Sequence, residues 1–556
     1  MTDQPADLIV VARAVHTMAG HTMTGDAPPV TTLAIRDGAI AATAGPDARD
    51  ELIAAWRGPG TALIDDPGLV VLPAFTDTHN HLMLAGQNIL GVPVSRAADI
   101  PGLVAMIAER AARTPRGQWI RSAADWHELG LQEQRLPTAA ELDQATTEHP
   151  VLVQRGGHNG VLNSAALRLA GIGRDTPDIE GGFIDRDADG EPRGWLQDAA
   201  LDVAFRAVPP LPAPALQDGL AQASARYAAH GLGTVRDPAV SPAQWQVYRR
   251  AQAAGQLTVR AHAMIFTTAP AVAAAGSMDA YLDVLEDQGI RPGAGEGLVR
   301  VWGLKLVLDG GVEAAALDEP YADRPGYRGE LLWAGDALTA ALAVCLRRGW
   351  PVGVHAMGDR ANALLLAARK DAAAGPVPRG MLVIEHGGLI GDRIAEAAGL
   401  GVHVTVQQAL LDGLAPAFLQ AWGPERTAAL FPWRELVDAG AWISAGTDHP
   451  IGPLSPLRAV HGMTTRRTPA GVLGPEHAIG RAEALRLYTV AGAGFLSGST
   501  PWSAASGPVA GALVPGAAAD LACYPADPFS CPDEDLLSLS PAATVIGGRI
   551  AYRAAG

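Results

Sequence analysis

The chain has 556 residues, of which 48% are hydrophobic and 18% are charged, and it contains 64 glycines and 42 prolines. This composition is typical of a loop-rich globular protein and excludes a disordered or fibrous one, while the length predicts more than one structural unit. The formal net charge of -16 at pH 7, without a long Lys/Arg cluster, argues against a nucleic-acid partner.

The cysteine content and the N-terminal segment indicate in which cellular compartment the protein is expected. Cys345, Cys523 and Cys531 form neither a disulfide framework nor a CxxC pair, which is compatible with a reducing compartment. The N-terminal segment lacks a basic region followed by an apolar stretch, so no signal peptide is predicted. No apolar run reaches the roughly 18 residues that a membrane span requires. We therefore expect a cytoplasmic protein without a membrane partner.

The two ends of the chain have the same sequence pattern. Short β-like segments separated by turns occupy residues 7–70, and similar segments return at 507–553, where a Gly-Gly pair offers a tight hairpin turn. We expect residues 1–70 and 500–556 to pair into one small β-sandwich domain.

Between the ends, apolar strand-like runs alternate with helical segments rich in Ala, Leu and Arg. This alternation predicts an α/β fold with a parallel sheet buried on both faces, and residues 71–499 are predicted to form a (β/α)₈ barrel of the TIM type. Residues 87–230 exceed one βα unit and are interpreted as an insertion, or as loops that roof a pocket. The candidate strands are LVVLPAFTD, PVLVQRG, GTVRD, TVRAHAMIF, LVRVWGLKLVLD, PVGVHA, MLVIEH, GVHVTVQ and WISAGTD.

Several candidate strands contain, end on or directly precede a polar residue that can do chemistry. In a (β/α)₈ barrel the active site lies at the C-terminal ends of the strands, so these side chains are expected to converge there. They are His79, His81, His158, Asp237, Lys305, His355, His386 and Asp448.

In FTDTHNHL, His79 and His81 lie two residues apart on an extended segment, so both imidazoles point to the same side. This spacing fits one shared cation, although two histidines in such a spacing also occur as polar turn residues. The apolar strand before the pair and the helix-compatible stretch after it favour the metal interpretation. Imidazole is a good ligand for Zn²⁺, and also for Fe, Ni and Mn in mixed sites.

Lys305 lies within the apolar run GLKLVLDGG, where burial of a lone lysine is costly. Two interpretations stay open. An ion pair with Asp309 or Glu313 would stabilise the ammonium group, or carboxylation would turn it into an anionic carbamate that can bridge two cations.

His355 and His386 each close an apolar strand and are separated by a helix-length stretch, so both should face the same end of the barrel. A single histidine at a strand end is often structural, but two in consecutive units after His79 and His81 favour a metal site. Asp448 ends WISAGTD, where small residues leave space for a ligand. Its carboxylate would contact metal and water, or it would cap the following segment.

In chain order, the DTHNH motif, the strand-borne Lys305, the two strand-end histidines and SAGTDHP resemble the amidohydrolase superfamily, whose members hold one or two divalent metals in a (β/α)₈ barrel. The resemblance narrows to amidohydrolase family 3, which includes N-substituted formamide deformylases. The supporting segments cover nearly the whole chain and lie at 136–172, 303–321, 352–362, 384–390 and 511–528.

The resemblance implies a set of site residues and a cofactor. It places His158 and Asn159 in the pocket lining, and it implies one or two divalent ions, first of all Zn²⁺, with N6-carboxylysine at Lys305. Two departures from the family's pattern lie near the expected substrate: Asp198 stands where a glutamate is usual, and VQQALL at 406–411 lacks the frequent Gln-Pro. The implied metal ligands and catalytic groups are His79, His81, Lys305, His355, His386 and Asp448.

The resemblance further implies hydrolysis of a C–N bond, in a linear N-substituted amide or formamide, by water that the metal activates. Asp448 would carry the proton, and His158 or His386 would donate to the developing oxyanion. The same site could act on a cyclic amide, a carbamate or an ester, or as a deaminase. A non-catalytic metal-binding protein is a further alternative, although Asp448 beside the ligands argues against it.

The partner expected from this interpretation is a small-molecule amide, and a homodimer is left open. Trp126, Trp195 and Trp333 lie in loops or insertions, where aromatic rings would hold an apolar substituent of the substrate or pack in the core.

Overall fold

The computed structural model describes residues 4–19, 29–179, 181–373, 377–497 and 511–555. The strands are β1 (Leu8–Val15), β2 (Val30–Arg36), β3 (Ala39–Ala44), β4 (Ala62–Asp65), β5 (Val70–Pro73), β6 (Phe75–Asp77), β7 (Ile120–Arg121), β8 (Val151–Arg155), β9 (Asn159–Leu162), β10 (Gly182–Arg186), β11 (Pro192–Asp198), β12 (Leu232–Val240), β13 (Arg260–Phe266), β14 (Val299–Val307), β15 (Val352–Ala356), β16 (Leu382–His386), β17 (His403–Val406), β18 (Ile443–Ala445), β19 (Arg467–Thr468), β20 (Gly471–Val472), β21 (Leu521–Tyr524), β22 (Ala543–Ile546) and β23 (Arg549–Arg553).

The α-helices are α1 (Arg49–Trp56), α2 (Leu82–Leu90), α3 (Ile100–Ala111), α4 (Ala139–Ala145), α5 (Ser164–Ala170), α6 (Ala199–Ala207), α7 (Ala213–Ala228), α8 (Pro242–Ala253), α9 (Ala269–Ala275), α10 (Met278–Asp287), α11 (Gly335–Arg347), α12 (Asp359–Ala372), α13 (Ile394–Gly399), α14 (Gln408–Trp422), α15 (Pro424–Ala428), α16 (Trp433–Asp438), α17 (Pro456–Thr465), α18 (Arg481–Arg486) and α19 (Gly492–Ser497). None of these helices is long and apolar enough to cross a bilayer.

Within the described residues, eight parallel strands form the predicted barrel, in the order β6, β12, β13, β14, β15, β16, β17 and β18. A backbone hydrogen bond of 3.2 Å from the N–H of Thr78 to the carbonyl of Ala445 links the last strand to the segment after the first. All residues of β15, β16 and β17 are buried, which explains why these strands are almost continuously apolar in the sequence. The prediction of an α/β barrel is confirmed.

The run LVVLPAFTD, predicted as one strand, is divided between two sheets. β5 pairs with β21, outside the barrel, whereas β6 pairs with β12 inside it. The change of partner occurs at Ala74, whose N–H bonds the carbonyl of Asp520, while the next N–H bonds that of Gly231. Pro73 has no backbone N–H to continue a ladder, and the chain turns from one sheet into the other directly after it.

The run PVLVQRG is not a barrel strand. It forms β8, in a sheet of five described strands with the order β10, β11, β9, β8 and β7. A short apolar run looks the same in either sheet, so periodicity could not separate the two assignments. This sheet lies between β6 and β12 in the chain, within the predicted insertion. We call the sheet and its connecting helices α3 to α6 the inserted sheet.

The two ends of the chain pair into one β domain, as predicted, but its described strands form one sheet and not the two layers of the expected sandwich. Strands β1 to β5 and β21 to β23, all in the described part of the chain, form a single mixed sheet. Alternation along β1 sends Leu8 and Val10 to one face, where Val545 packs, and Ile9 to the other face, where Leu52 of α1 packs. The boundaries at residues 70, 87 and 230 stay predictions, and those at 499 and 500 lie outside the described residues.

Candidate metal centre

A cavity of about 520 Å³ opens at the C-terminal ends of the barrel strands, where (β/α)₈ barrels carry their active sites. The structure brings together in its lining all six residues that the resemblance implied as ligands and catalytic groups: His79, His81, Lys305, His355, His386 and Asp448.

Three of these side chains converge on one point. Oδ1 of Asp448 lies 3.2 Å from Nε2 of His79 and 3.0 Å from Nε2 of His81, and the three groups are close enough to share an ion. Among the described residues, neither Nε2 of His79 nor Oδ1 of Asp448 has a partner in hydrogen-bond geometry. Buried polar atoms normally have partners. Two imidazoles and one carboxylate are a donor set that Zn²⁺ prefers, so this site fits a divalent cation.

Hydrogen bonds and close packing link the loops that carry these ligands. Asp77 accepts hydrogen bonds from the backbone N–H of Thr447 (3.0 Å), its hydroxyl (2.6 Å) and the amide of Asn80 (2.8 Å). Burial raises the pKa of Asp77 to about 6, against the lowering effect of these bonds. Gly446 completes the contact, because a Cβ atom there would lie 2.7 Å from the backbone nitrogen of His79. The first and the last strand are thereby held at a fixed distance.

Two of the candidate ligands have unusual backbone geometry. His386 has a φ of 76° and Asp448 a φ of 56°, in the left-handed region that non-glycine residues rarely adopt. A backbone in this region is strained, and it persists only where the surrounding structure holds it in place. Such strained residues are common at functional sites. The backbone N–H of Asp448 is held by the carbonyl of His79 at 2.9 Å.

Lys305 is buried, with 4% of its surface exposed, and its Nζ has no hydrogen-bond partner in the described ranges. Neither proposed ion-pair partner is available: Asp309 accepts three backbone N–H groups, and Glu313 pairs with Arg155 at 2.7 Å. Burial lowers the pKa of Lys305 to about 8, although Glu385 and other carboxylates act in the opposite direction. The ion-pair interpretation is therefore not what the structure shows.

His355 and His386 lie side by side, with ring centroids 4.5 Å apart, and His386 is equally close to His79. Nε2 of His355 lies 3.2 Å from the carbonyl of Gly310. Nδ1 of His386 is buried without a hydrogen-bond partner among the described residues. Burial lowers the pKa of both histidines well below the ordinary value, which favours the neutral imidazole that binds metal ions.

Behind His79 lies an ion pair that the sequence analysis missed. Oε2 of Glu385 lies 2.5 Å from Nδ1 of His79, and both carboxylate oxygens accept from Arg236 at 2.6 and 2.7 Å. Burial acts to raise the pKa of Glu385, but Arg236 and His79 bring it to about 2. The signal was a charged residue inside each of the apolar strands TVRD and MLVIEH. The neighbour Asp237, which the strand pattern favoured, accepts bonds from Tyr248 and the backbone of Met83.

His158 reaches the cavity from the turn between β8 and β9, not from the end of a barrel strand, and Asn159 follows it in the lining. Nδ1 of His158 lies 2.7 Å from Oδ1 of Asp198, and its ring is 5.7 Å from that of His355. Burial acts to lower the pKa of His158, but Asp198 raises it overall. Asp198, the residue that departs from the family's glutamate, therefore holds a pocket histidine.

A second cluster of acidic and histidine side chains lies partly in the cavity lining, to which His127, Arg155 and Glu313 contribute. Glu128 and Glu313 lie near His127, but the guanidinium of Arg155 stands between them, 2.9 Å from the first carboxylate and 2.7 Å from the second. A guanidinium in this position already supplies the positive charge that two carboxylates need. We interpret this cluster as an ion-pair network and not as a second metal site.

The three tryptophans have different environments. Trp126 lines the cavity, and its Nε1 donates to the carbonyl of Gln154 at 2.7 Å. Trp195 lies behind the lining, where it donates to Oδ1 of Asn159 at 2.8 Å. Trp333 is buried in the main core. Of the three, Trp126 is placed to contact a substrate, next to the apolar side chains of Phe205, Phe266, Leu410, Phe418 and Ile451.

The VQQALL segment has a structural role at its second glutamine. Oε1 of Gln408 accepts from Nε1 of Trp433 at 2.9 Å and from Arg466 at 3.1 Å, and the side chain is fully buried. The departure from Gln-Pro thus places a buried, hydrogen-bonded glutamine in the packed interior. Leu410 in the same segment lines the cavity.

Comparison with known proteins agrees with this geometry. The N-substituted formamide deformylase of Arthrobacter pascens is 29% identical over 521 residues, which cover 90% of this chain and 91% of that protein. A metal-dependent hydrolase from Pyrococcus horikoshii OT3 has the same fold, with a TM-score of 0.72, 22% identity and coverage of 95% of this chain and 99% of that one. The zinc complex of atrazine chlorohydrolase TrzN from Arthrobacter aurescens TC1 is a more distant fold relative, with a TM-score of 0.53, 15% identity and coverage of 98% and 95%.

The sequence profile of the Amidohydrolase family matches residues 62–552. This match includes the barrel, the inserted sheet and, of the sheet built by the chain ends, β4, β5 and β21 to β23, so it covers every residue of the candidate metal centre. The chain therefore belongs to the amidohydrolase family and is a hydrolytic enzyme.

Proposed function

We propose that the enzyme cleaves the C–N bond of a linear N-substituted amide, with formamides as the first candidates, at a divalent metal centre. The observation that carries the proposal is the convergence of His79, His81 and Asp448 at the C-terminal mouth of the barrel. The likeness to the deformylase over 90% of the chain supports the choice of bond. The chlorohydrolase named above has the same fold, so the fold alone does not select the bond.

We propose that His79, His81 and Asp448 hold one cation, and that a carboxylated Lys305 with His355 and His386 would hold a second. Zn²⁺ is the first candidate, because the donor set suits it and the TrzN structure contains zinc. A divalent cation bound here would lower the pKa of water toward neutrality and would polarise the scissile carbonyl.

Asp448 is placed to move the proton. Its carboxylate lines the cavity next to His79 and His81, which follow the first barrel strand. It is within reach of a water that attacks a substrate carbonyl. It would accept one proton from that water and return it to the nitrogen of the leaving amine as the C–N bond breaks. The acyl carbon leaves as a carboxylic acid, formic acid for a formamide, and the nitrogen leaves as the free amine.

His158 is the first candidate for stabilising the developing oxyanion, and His386 is the second. Because Asp198 holds Nδ1 of His158, Nε2 is the nitrogen left to donate to substrate, and such donors act most strongly in the transition state. The His158→Gln variant is expected to lose about 10²-fold in kcat, with a smaller change in KM, in steady-state assays.

The partly exposed His230 is not part of the cavity lining, and its Nδ1 lies 2.9 Å from the carbonyl of Arg226. The His230→Gln variant is the matched control and should keep the kcat of the wild type. If His158→Gln also kept that kcat, the oxyanion role would pass to His386.

The apolar side of the cavity indicates the shape of the substrate. Trp126, Phe205, Leu410 and Phe418 line the same cavity as the metal centre, and about 520 Å³ is enough for a small molecule. We propose that these side chains take an apolar aryl or alkyl group on the substrate nitrogen.

The experiment that tests the function combines metal analysis with a substrate panel. The purified enzyme should contain Zn²⁺ or another divalent metal, and mass spectrometry of the intact protein should show whether Lys305 is carboxylated. On N-formyl and N-acyl amines, equal amounts of acid and amine should be released. Chelator-treated enzyme should release neither until metal is returned.

Other outcomes identify the alternatives. Release of ammonia in place of a substituted amine would indicate a deaminase. Turnover confined to cyclic amides, carbamates or esters would keep the metal centre and change the bond. A protein that binds metal and hydrolyses none of these compounds would contradict the enzymatic proposal.

A further inference from the structure

Arg236 lies inside the barrel, completely buried, in contact with three different kinds of group. Its guanidinium carbon lies 4.5 Å from the ring centre of Trp302 and 4.9 Å from that of Phe495. Its Nε donates to the carbonyl of Thr78 at 2.7 Å, directly before His79 in the chain. Two aromatic faces and a backbone acceptor fix the plane of the guanidinium.

Glu385 is the partner that this fixed guanidinium holds. Both of its oxygens accept from one nitrogen of Arg236, and neither side chain has any exposed surface. The neighbouring strand makes room for the carboxylate, because a Cβ atom at position 353 would overlap Oε1 of Glu385. Gly353 in β15 is therefore a requirement of this ion pair.

The carboxylate in turn bonds His79. Nδ1 of His79 lies 2.5 Å from Oε2 of Glu385, and since the carboxylate only accepts, Nδ1 carries the proton. Nε2 is then the unprotonated nitrogen, and it faces Oδ1 of Asp448 at 3.2 Å. A carboxylate behind a metal-bound histidine fixes its tautomer and its ring orientation, and it raises the basicity of the ligand.

We propose that Arg236 and Glu385 are positioning residues that fix the tautomer of His79 and strengthen its bond to the catalytic cation. Arg236 holds this carboxylate in place: it donates to both oxygens of Glu385, so without it the carboxylate would lose the contacts that fix its orientation toward His79. The inference rests on the proposed metal centre, but not on which bond the enzyme cleaves.

The test measures metal binding by the full-length apo protein. Zn²⁺ is titrated in competition with a chromophoric chelator, and Co²⁺ is added to record the visible absorption spectrum, which reports the ligand geometry. In Glu385→Gln the affinity for Zn²⁺ is expected to fall by roughly 10- to 100-fold, with altered Co²⁺ bands. Glu385→Asp, which keeps the charge, should bind Zn²⁺ more tightly than Glu385→Gln.

The matched control is Asp237→Asn, because Asp237 is also fully buried on a barrel strand but bonds Tyr248 and the backbone of Met83. Asp237→Asn makes the same change from carboxylate to amide, but Asp237 does not contact a metal-binding residue. The Zn²⁺ affinity and the Co²⁺ spectrum of this variant should therefore match those of the wild type. If Glu385→Gln does not fold, Arg236→Lys, which keeps the charge but loses the guanidinium geometry, is expected to give an intermediate loss of affinity.

The outcomes separate this inference from the proposed function. Folded Glu385→Gln with wild-type affinity and spectrum would overturn the positioning role alone. Wild-type protein that binds no divalent metal would overturn the metal centre and the positioning role with it. Weakened binding in Glu385→Gln supports the inference even if none of the amide substrates is turned over.

Discussion

The Asp448→Asn variant is expected to lose between about 10² and 10⁴ in kcat, the range that a general acid–base group contributes. Asparagine keeps the shape of the side chain and an oxygen that can face His79 and His81, but its amide does not accept the proton of the attacking water. The measurement is kcat on the best substrate of the panel, at saturating substrate and with the metal content of each preparation determined.

The metal content decides how the result is interpreted, and it should stay close to that of the wild type. A loss of metal together with activity would show that Asp448 acts mainly as a ligand. Asp412→Asn is a suitable control, because this carboxylate bonds Arg458 at 2.5 Å and is not part of the cavity lining. Unchanged kcat in Asp448→Asn would exclude its role as the proton carrier.

The second large effect is expected in stability. Arg236→Met should lower the free energy of unfolding by about 3–5 kcal/mol, because it removes the cation that pairs with the buried Glu385 and leaves that carboxylate only its contact with His79. The measurement is the midpoint of unfolding in denaturant, followed by both far-ultraviolet circular dichroism and tryptophan fluorescence. Agreement of the two signals is needed before a free energy is assigned to a chain of this size.

The double variant Arg236→Met/Glu385→Gln identifies the cause. It removes both charges, so it should recover part of the stability that Arg236→Met loses. The exposed pair of Arg113 and Glu109 provides the control: both side chains are well exposed, and Arg113→Met should change stability by less than about 1 kcal/mol. A double variant no more stable than Arg236→Met would show that the loss comes from packing against Trp302 and Phe495.

The sequence was most informative where a local pattern and a fold rule coincide. Apolar runs that end in His355, His386 and Asp448 predict strands of a barrel and, through the rule on strand ends, a common site. The spacing of His79 and His81 is a local feature, because two residues two apart on an extended segment point to the same side wherever the segment lies in the fold. All of them line one cavity, because the C-terminal ends of parallel strands in a closed barrel meet at one mouth.

The sequence was least informative where the partner of a side chain lies across the barrel. Arg236 and Glu385 are far apart in the chain, and their contact depends on strand order and on which way each side chain points in a closed sheet. The same holds for Lys305, whose ion-pair alternative failed because Asp309 bonds backbone N–H groups and Glu313 bonds Arg155. Burial of charged residues is readable from the sequence, but the identity of their partners is not.

His158 shows a third limit. The run before it has the length and the apolar content of a barrel strand, and its assignment to the inserted sheet depends on pairing with β9 and β7. His158 was expected at the end of a barrel strand and, by the family resemblance, in the pocket lining; it does line the cavity, but it enters from the turn between β8 and β9.

The division of LVVLPAFTD between two sheets affects the order in which the enzyme can be made. The segment that leads into His79 is held by β21, which lies close to the C-terminal end of the chain. During synthesis on a ribosome, His79 and His81 emerge long before β21, the strand that holds β5. Contacts between such distant segments form slowly. The metal centre is therefore expected to form only after the strands that carry His355 and His386, the segment of Asp448 and the anchoring strand β21 have all been made.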